Sequence, residues 1–211
     1  MRLRPETRNS SSTVFANRYT AFIDACTLAR VLPRNLLLSL AEADFFRVRW
    51  SGQVLDETER AIAGMLHKRG NTIETAKEKA AHQIQQMRAA FEDAEVVDFE
   101  HLLLVASDLP DANDAHVLAA ALKTQAAAIV TDNLKDFPAH ILDSLNIEAR
   151  SSDDFIADTI ALDTGRAVST IRRMRERFKR PELTPDEFLL SLEAANLLAT
   201  ADSLRPHLDS L

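Results

Sequence analysis

Four acidic residues recur in this chain where a cation could gather them. Asp24 follows the apolar run Ala21, Phe22, Ile23, and Asp132 follows the apolar run "AAAIVT". Glu57 falls in the first turns of a helical stretch beginning near Ser51, and Asp114 in the first turn of "DANDAHVLAAAL". An ionised carboxylate in an apolar setting needs a partner, and several carboxylates side by side cannot all ionise unless a cation neutralises them. Donors that are all oxygen, without clustered histidines and with the single cysteine Cys26, suit Mg²⁺ or Mn²⁺ better than zinc. Such an ion polarises a phosphodiester and lowers the pKa of bound water, which is nuclease chemistry. Each acid also has a plainer role open to it. Asp111 can cap a helix with Asp114 as its capping-box acid, and Glu57, beside Asp56 and Glu59, can be a solvated surface charge.

The elements that must position these acids alternate along the chain. A strand over about residues 19–24 is followed by "PRNLLLSLAEADFF", a helix with Pro33 in its first turn. "SGQVLDETERAIAGMLHKRG" reads as a helix capped by Ser51, with Val54, Leu55, Ile62 and Leu66 near one face and Gly70 as its stop. In "NTIETAKEKAAHQIQQMRAAF" the positions Ile73, Ala76, Ala80, Ile84, Met87 and Phe91 recur at helical steps. "EVVDF" is a short strand, "DANDAHVLAAALKTQ" a helix, "AAAIVTDN" a buried strand, "DFPAHILDSLN" a helix and "IEAR" a last short strand. This order predicts an α/β fold, a parallel sheet flanked by helices, whose ligand site lies beyond the carboxyl ends of the strands where Asp24 and Asp132 fall. From Ser151 onward every signal is helical, and Thr184, Pro185 and Glu187 supply cap, first-turn proline and capping-box acid. The expected organisation is a tail over 1–18, an α/β body over 19–150 and a C-terminal helical extension over 151–211.

Composition narrows the choices. The 211 residues are 46% apolar and 27% charged, the balance of one folded body with a small lobe. The net charge of −7 argues against a nucleic-acid binder that uses its whole surface but allows a local basic patch. Such a patch is offered by Arg172, Arg173, Arg175, Arg177, Lys179 and Arg180, if Ala167, Ile171, Met174 and Phe178 form the buried stripe of the same helix. One cysteine excludes an intrachain disulfide and a Cys-rich zinc site, and a reducing cytoplasm is the expected home. No apolar run approaches membrane-spanning length. The first 18 residues set Arg2, Arg4, Arg8 and Arg18 against Glu6 and read as a tail. Four glycines cannot build a Walker loop or a dinucleotide fingerprint, and neither an HExxH nor a GxSxG pattern is present. His116 reads as a packing or surface residue of its helix, and Cys26 as a small residue near the acids.

Taken together, "FIDACTL", "VLDETERAI", "LPDANDAHVLAAAL" and "AIVTDNLKDFP", in that order over about residues 19–150, resemble the PIN-domain ribonucleases, including the VapC-type toxins of bacterial toxin–antitoxin pairs. The segment "IRRMRERFKRPELTPDEFLLSLEAA" resembles the longer subgroup with a C-terminal helical extension. The resemblance implies a PIN-like sheet and Mg²⁺- or Mn²⁺-dependent endonucleolytic cleavage of RNA. It implies 5′-phosphate and 3′-hydroxyl ends, an antitoxin partner covering the acidic crevice, and a homodimer. Asp24, Glu57 and Asp114 match the family's first three acids; the fourth position falls among Asp132, Asn133 and Asp136, with Asp132 taken as the working assignment. On this reading Asp24 and Asp114 hold the ion directly, and Glu57 and Asp132 hold it directly or through water.

Two other functions compete. Phosphatases of the haloacid dehalogenase type also begin with a strand-end aspartate, but they need a second one two residues on, where this chain has Cys26. A PIN-like module that binds RNA or a partner without cutting it is the non-enzymatic alternative, and Mg²⁺ binding separates it from the nuclease.

Overall fold

The computed structural model describes residues 19–179 and 181–211. The arginine-bearing stretch 1–18 and Arg180 lie outside the described residues. Five strands form one parallel sheet in the order β3-β2-β1-β4-β5. They are β1 (Thr20–Ile23), β2 (Arg47–Ser51), β3 (Glu95–Val96), β4 (Ala128–Val130) and β5 (Glu148–Arg150). β1 and β4, both central, are buried along their whole length, which explains their unbroken apolar sequences: helices cover both faces. The chain runs outward in one direction from β1 through β2 to β3 and in the other through β4 to β5, so β1 and β4 flank the point where the topology reverses.

β2 is the element that sequence reading missed. Arg47 and Arg49 break up its apolar sequence, yet Val48 and Trp50 alternate with them and are buried. The helix before it ends at Glu42 rather than running through Phe46. Asp44 takes a positive φ of 58°, and Phe45 and Phe46 turn into the core from the loop.

The helices on the body are α1 (Ala25–Leu28), α2 (Val31–Glu42), α3 (Gly52–Lys68), α4 (Ile73–Ala90), α5 (Ala115–Lys123) and α6 (Ala139–Leu142). Ser51 caps α3 through Val54 N–H at 3.2 Å, as expected, and Gly70 at φ 95° makes the turn between α3 and α4. On α4 the residues Ala76, Ala80, Ile84 and Met87 are buried, whereas Ile73 is exposed at the helix start and Phe91 leaves the helix to meet Trp50 edge-on.

The helical extension comprises α7 (Ser152–Leu162), α8 (Thr164–Glu176), α9 (Pro185–Ala194) and α10 (Leu198–Leu204). Its apolar residues belong to the same core as the sheet: Phe155 meets Phe46 in a T-shaped pair with ring centres 4.9 Å apart. The Arg166 guanidinium lies over the Phe45 ring at 4.2 Å. The capping box of Thr184 and Glu187 is present at α9, with Pro185 in its first turn. The predicted stripe Ala167, Ile171 and Met174 is buried, with Phe178 packed against the core from its edge. The basic side chains of α8, and of Arg177 just after it, make contacts within the chain, Arg175 half-buried and Arg172, Arg173 and Arg177 exposed. Arg172 pairs with Glu176, Arg173 donates to Ser169 and Thr170, Arg175 donates to the Leu183 and Leu211 carbonyls, and Arg177 reaches Glu42. Arg175 is thereby given a structural use, while Arg172, Arg173 and Arg177 keep an exposed basic face. No helix among the described residues is long and apolar enough to cross a membrane.

Candidate active site

Asp24 stands where β1 ends, at the topological reversal. Its backbone N–H donates to the Val130 carbonyl at 3.0 Å, so the first residue past β1 is still stitched to β4. Its side chain caps α1: Oδ1 accepts from Ala25 N–H at 2.6 Å. Oδ2 accepts from the Thr131 hydroxyl at 2.8 Å and faces the Cys26 Sγ at 3.0 Å. Asp24 is 7% exposed, and these donors are the partners that burial of a charge at a strand end requires. Thr131 is locked in turn, because its hydroxyl oxygen accepts from Asn133 N–H at 3.1 Å. Although part of Cys26 is open to solvent, desolvation of its thiol and the neighbouring Asp24 carboxylate push its pKa up to about 12, so it stays protonated rather than presenting a thiolate.

Asp114 closes a short 3₁₀ turn (Ala112–Asp114) and immediately precedes α5. The capping alternative resolves against it. Asp111 does the capping, accepting from Asn113 N–H at 2.9 Å, and the Asp114 side chain makes no cap hydrogen bond. Instead its Oδ2 is sealed from solvent without a hydrogen-bond partner among the described residues. Desolvation raises its pKa to about 6, assisted by the negative charges of Asp24, Asp111, Asp136 and Glu57. Those contributions bring the separate sequence motifs together: Asp24 from β1, Glu57 from α3 and Asp136 from the loop after β4 all act on one carboxyl group.

Glu57 sits in the second turn of α3, half-buried, with Oε1 3.2 Å from the Nε2 of His116. His116 itself is buried, and burial lowers its pKa while Glu57 and Asp24 oppose that shift.

Asp132 was expected beside these acids, and the structure directs both of its carboxyl oxygens elsewhere. Oδ1 accepts from Ser152 N–H at 3.0 Å and from the Ser152 hydroxyl at 2.7 Å, at the start of α7. Oδ2 pairs with Arg30, whose other guanidinium nitrogen donates to the Ala195 carbonyl at the end of α9. Asp132 therefore clamps the helical extension to the strand end. The charge of Asp136 is among those that raise the Asp114 pKa, and its carboxylate accepts a hydrogen bond from the Asn133 side-chain amide. Of the three candidates for the fourth acidic position, Asp132, Asn133 and Asp136, the partners of Asp132 come from distant parts of the chain that no local sequence pattern marks.

The donors facing Asp114 are all carboxylates, a set suited to a hard divalent cation, and the orphaned Asp114 Oδ2 is an acceptor that a cation would satisfy. No three His, Cys, Asp or Glu side chains among the described residues are gathered closely enough to chelate an ion as they stand. Mutual repulsion of unneutralised carboxylates is a physical reason for that spacing.

A pH dependence follows for the metal-free protein. With a folded-state pKa of about 6 against an ordinary 3.8, Asp114 binds its proton more tightly folded than unfolded. Its contribution to stability is therefore greatest below about pH 4, falls as pH rises through this window, and stays reduced above about pH 6. Asp114→Asn should remove that slope. It should raise metal-free stability by about 1–2 kcal/mol at pH 7 and leave it unchanged near pH 4, less than the full shift would give because water still reaches the carboxyl. Urea unfolding at both pH values reads it, and equal gains at both would place the origin elsewhere.

Comparison with known proteins agrees with this architecture. Residues 20–135 match the family model described as PIN domain, and residues 152–206 match the model described as VapC50 C-terminal domain. Over 79 residues, 37% of this chain, it is 39% identical to "Putative ribonuclease VapC50" of Mycobacterium tuberculosis. That stretch covers 47% of the relative, so the match spans about half of its length. No solved structure matches. The PIN-domain match covers more than half of the chain and includes the reversal point of the sheet with Asp24, Glu57 and Asp114, and a second model covers α7 to α10; the chain belongs to the PIN-domain family and carries a VapC-type C-terminal extension.

Proposed function

We propose that this protein is a divalent-metal-dependent endoribonuclease and the toxin of a toxin–antitoxin pair. The observation that carries the reading is the buried, unpartnered Asp114 oxygen, set among the charges of Asp24, Glu57 and Asp136 at the carboxyl end of a parallel sheet. The family membership and the name of the relative, "Putative ribonuclease VapC50", support the same reading. Asp24, Asp114, Glu57 and Asp136 are the residues that would hold Mg²⁺ or Mn²⁺; Asp132 serves them by fixing the loop after β4. The bound ion would supply activation of water and stabilisation of the charge that develops on the phosphate. The chain's own residues do the positioning. Thr131 fixes one Asp24 oxygen and Ala25 N–H the other, so the Asp24 carboxylate cannot rotate freely. Asn133 similarly restrains Asp136. The protein partner would be an antitoxin covering the acidic crevice, with RNA as substrate, a homodimer as the assembled form, and the cytoplasm as the site of action. We also propose residues 19–150 as the nuclease body and 151–211 as the extension that braces it.

The test is cleavage of total RNA by the purified protein with Mg²⁺ or Mn²⁺, with Asp24→Asn alongside and EDTA as a further control. Metal-dependent cleavage confined to the wild type is the expected result. A folded wild type that neither binds Mn²⁺ nor cuts RNA would overturn the nuclease reading in favour of a silent binding module.

A further inference from the structure

His116 was the histidine with no evident task in the sequence, and the structure gives it a partner inside the candidate site. It is 5% exposed, in the first turn of α5 and two residues past Asp114. Its Nε2 lies 3.2 Å from Glu57 Oε1, across from α5 to α3. Its Nδ1 is buried and has no hydrogen-bond partner among the described residues. A buried imidazole that turned its bare nitrogen lone pair on a carboxylate would set two acceptors against each other. The proton therefore belongs on Nε2, which donates to Glu57 whether the ring is neutral or charged.

From this contact we infer that His116 is a positioning residue for Glu57. It fixes the Glu57 carboxylate relative to Asp114, so that the residue preceding α5 supplies an acidic ligand and the first turn of α5 the group that orients a second acid on another helix. The inference rests on the proposed divalent-metal site. Glu57 needs such support because its other contacts are weak: Gln53 Nε2 stands 3.4 Å away and the largely exposed Arg60 4.0 Å away. Residues that orient metal ligands typically change metal affinity by about 10–100-fold when removed.

The experiment measures Mn²⁺ affinity by loss of the free-ion electron paramagnetic resonance signal, together with RNA cleavage, for wild type and a small set of variants. His116→Ala should weaken Mn²⁺ binding by about tenfold or more. His116→Gln should recover most of it, because the glutamine side-chain amide can donate from close to the Nε2 position; His116→Asn, whose amide falls near Nδ1, should not. In the Glu57→Gln background, His116→Ala should add little further loss, since the orienting bond is already altered. If His116→Gln is no better than His116→Asn, or if the His116 and Glu57 losses multiply, the positioning role is overturned. Folding is monitored by circular dichroism, and the Gln-against-Asn comparison decides the matter if the Ala variant does not fold. A wild type that fails to bind Mn²⁺ overturns the nuclease reading and this inference together, whereas a wild type that binds with all His116 variants unchanged overturns this inference alone.

Discussion

Asp24→Asn is expected to abolish metal-dependent RNA cleavage, by about a thousandfold or more, while leaving the fold in place. The expectation follows from where the side chain sits and what holds it. Asp24 is buried at the reversal point of the sheet and its oxygens are fixed by Ala25 N–H and the Thr131 hydroxyl, so it brings a charge to the site in one orientation. Replacing it with an amide removes that charge but keeps the volume, and the loss of an oriented anionic ligand is worth several kcal/mol of transition-state stabilisation, each 1.4 kcal/mol being about tenfold. Stability responds through two opposing changes. The amide keeps an oxygen for Ala25 N–H but sets either its NH₂ against the Thr131 hydroxyl or its oxygen away from the helix start. Against that, one negative charge is withdrawn from the neighbourhood of Asp114. The net should stay within about 1 kcal/mol of the wild type. The second change has its own signature. Because Asp24 is the largest charge effect raising the Asp114 pKa, that pKa should fall below about 6 in the variant, as read by carboxyl carbon NMR. A variant that retains cleavage, or an unchanged Asp114 titration, would remove Asp24 from the site.

Much of this site is legible from the chain because local rules place three of its acids. β1 and β4 are short apolar runs ended by polar residues, and a strand buried on both faces must be written that way. Once a parallel sheet is inferred, the residues at those strand ends, and those in the first turns of the following helices, are drawn to one edge. Asp24, Glu57 and Asp114 follow from that logic. β2 escapes it because a strand nearer the edge of the sheet can expose alternate residues, and Arg47 and Arg49 occupy those places. His116 escapes it for another reason. Its meaning lies in a contact with Glu57 from a helix 59 positions earlier, and a histidine on an apolar helix carries no local mark of that. Asp111 and Asp114 show the limit from the other side: both have cap chemistry at the right spacing, and only the backbone geometry decides which one caps and which is left to the crevice.

The same limit governs Asp132 and Asp136, and it leads to a second large expected effect. Asp132 follows a buried strand just as Asp24 does, yet its partners, Arg30, Ser152 and, through Arg30, Ala195, come from three other parts of the chain. Ser152 N–H is one of the donors that the start of α7 leaves without an intrahelical acceptor, so Asp132 acts as a second cap for that helix from outside it. Its pair with Arg30 is partly solvent-exposed, with side-chain exposures of 34% and 27%, and adds less than a buried ion pair would. Asp132→Ala strips the buried Ser152 of both acceptor contacts and frees Arg30 from the strand end. It should therefore cost about 2–3 kcal/mol of stability by urea unfolding. Among the molecules that remain folded, Mn²⁺ affinity should change little. Asp136→Ala should do the reverse, costing little stability because among the described residues its side chain is tethered by the Asn133 amide alone, while weakening Mn²⁺ binding by about tenfold or more. If instead Asp132→Ala abolishes Mn²⁺ binding at unchanged stability and Asp136→Ala is silent, the fourth ligand is Asp132, and the clamp that joins the extension to the strand end must open when the ion binds.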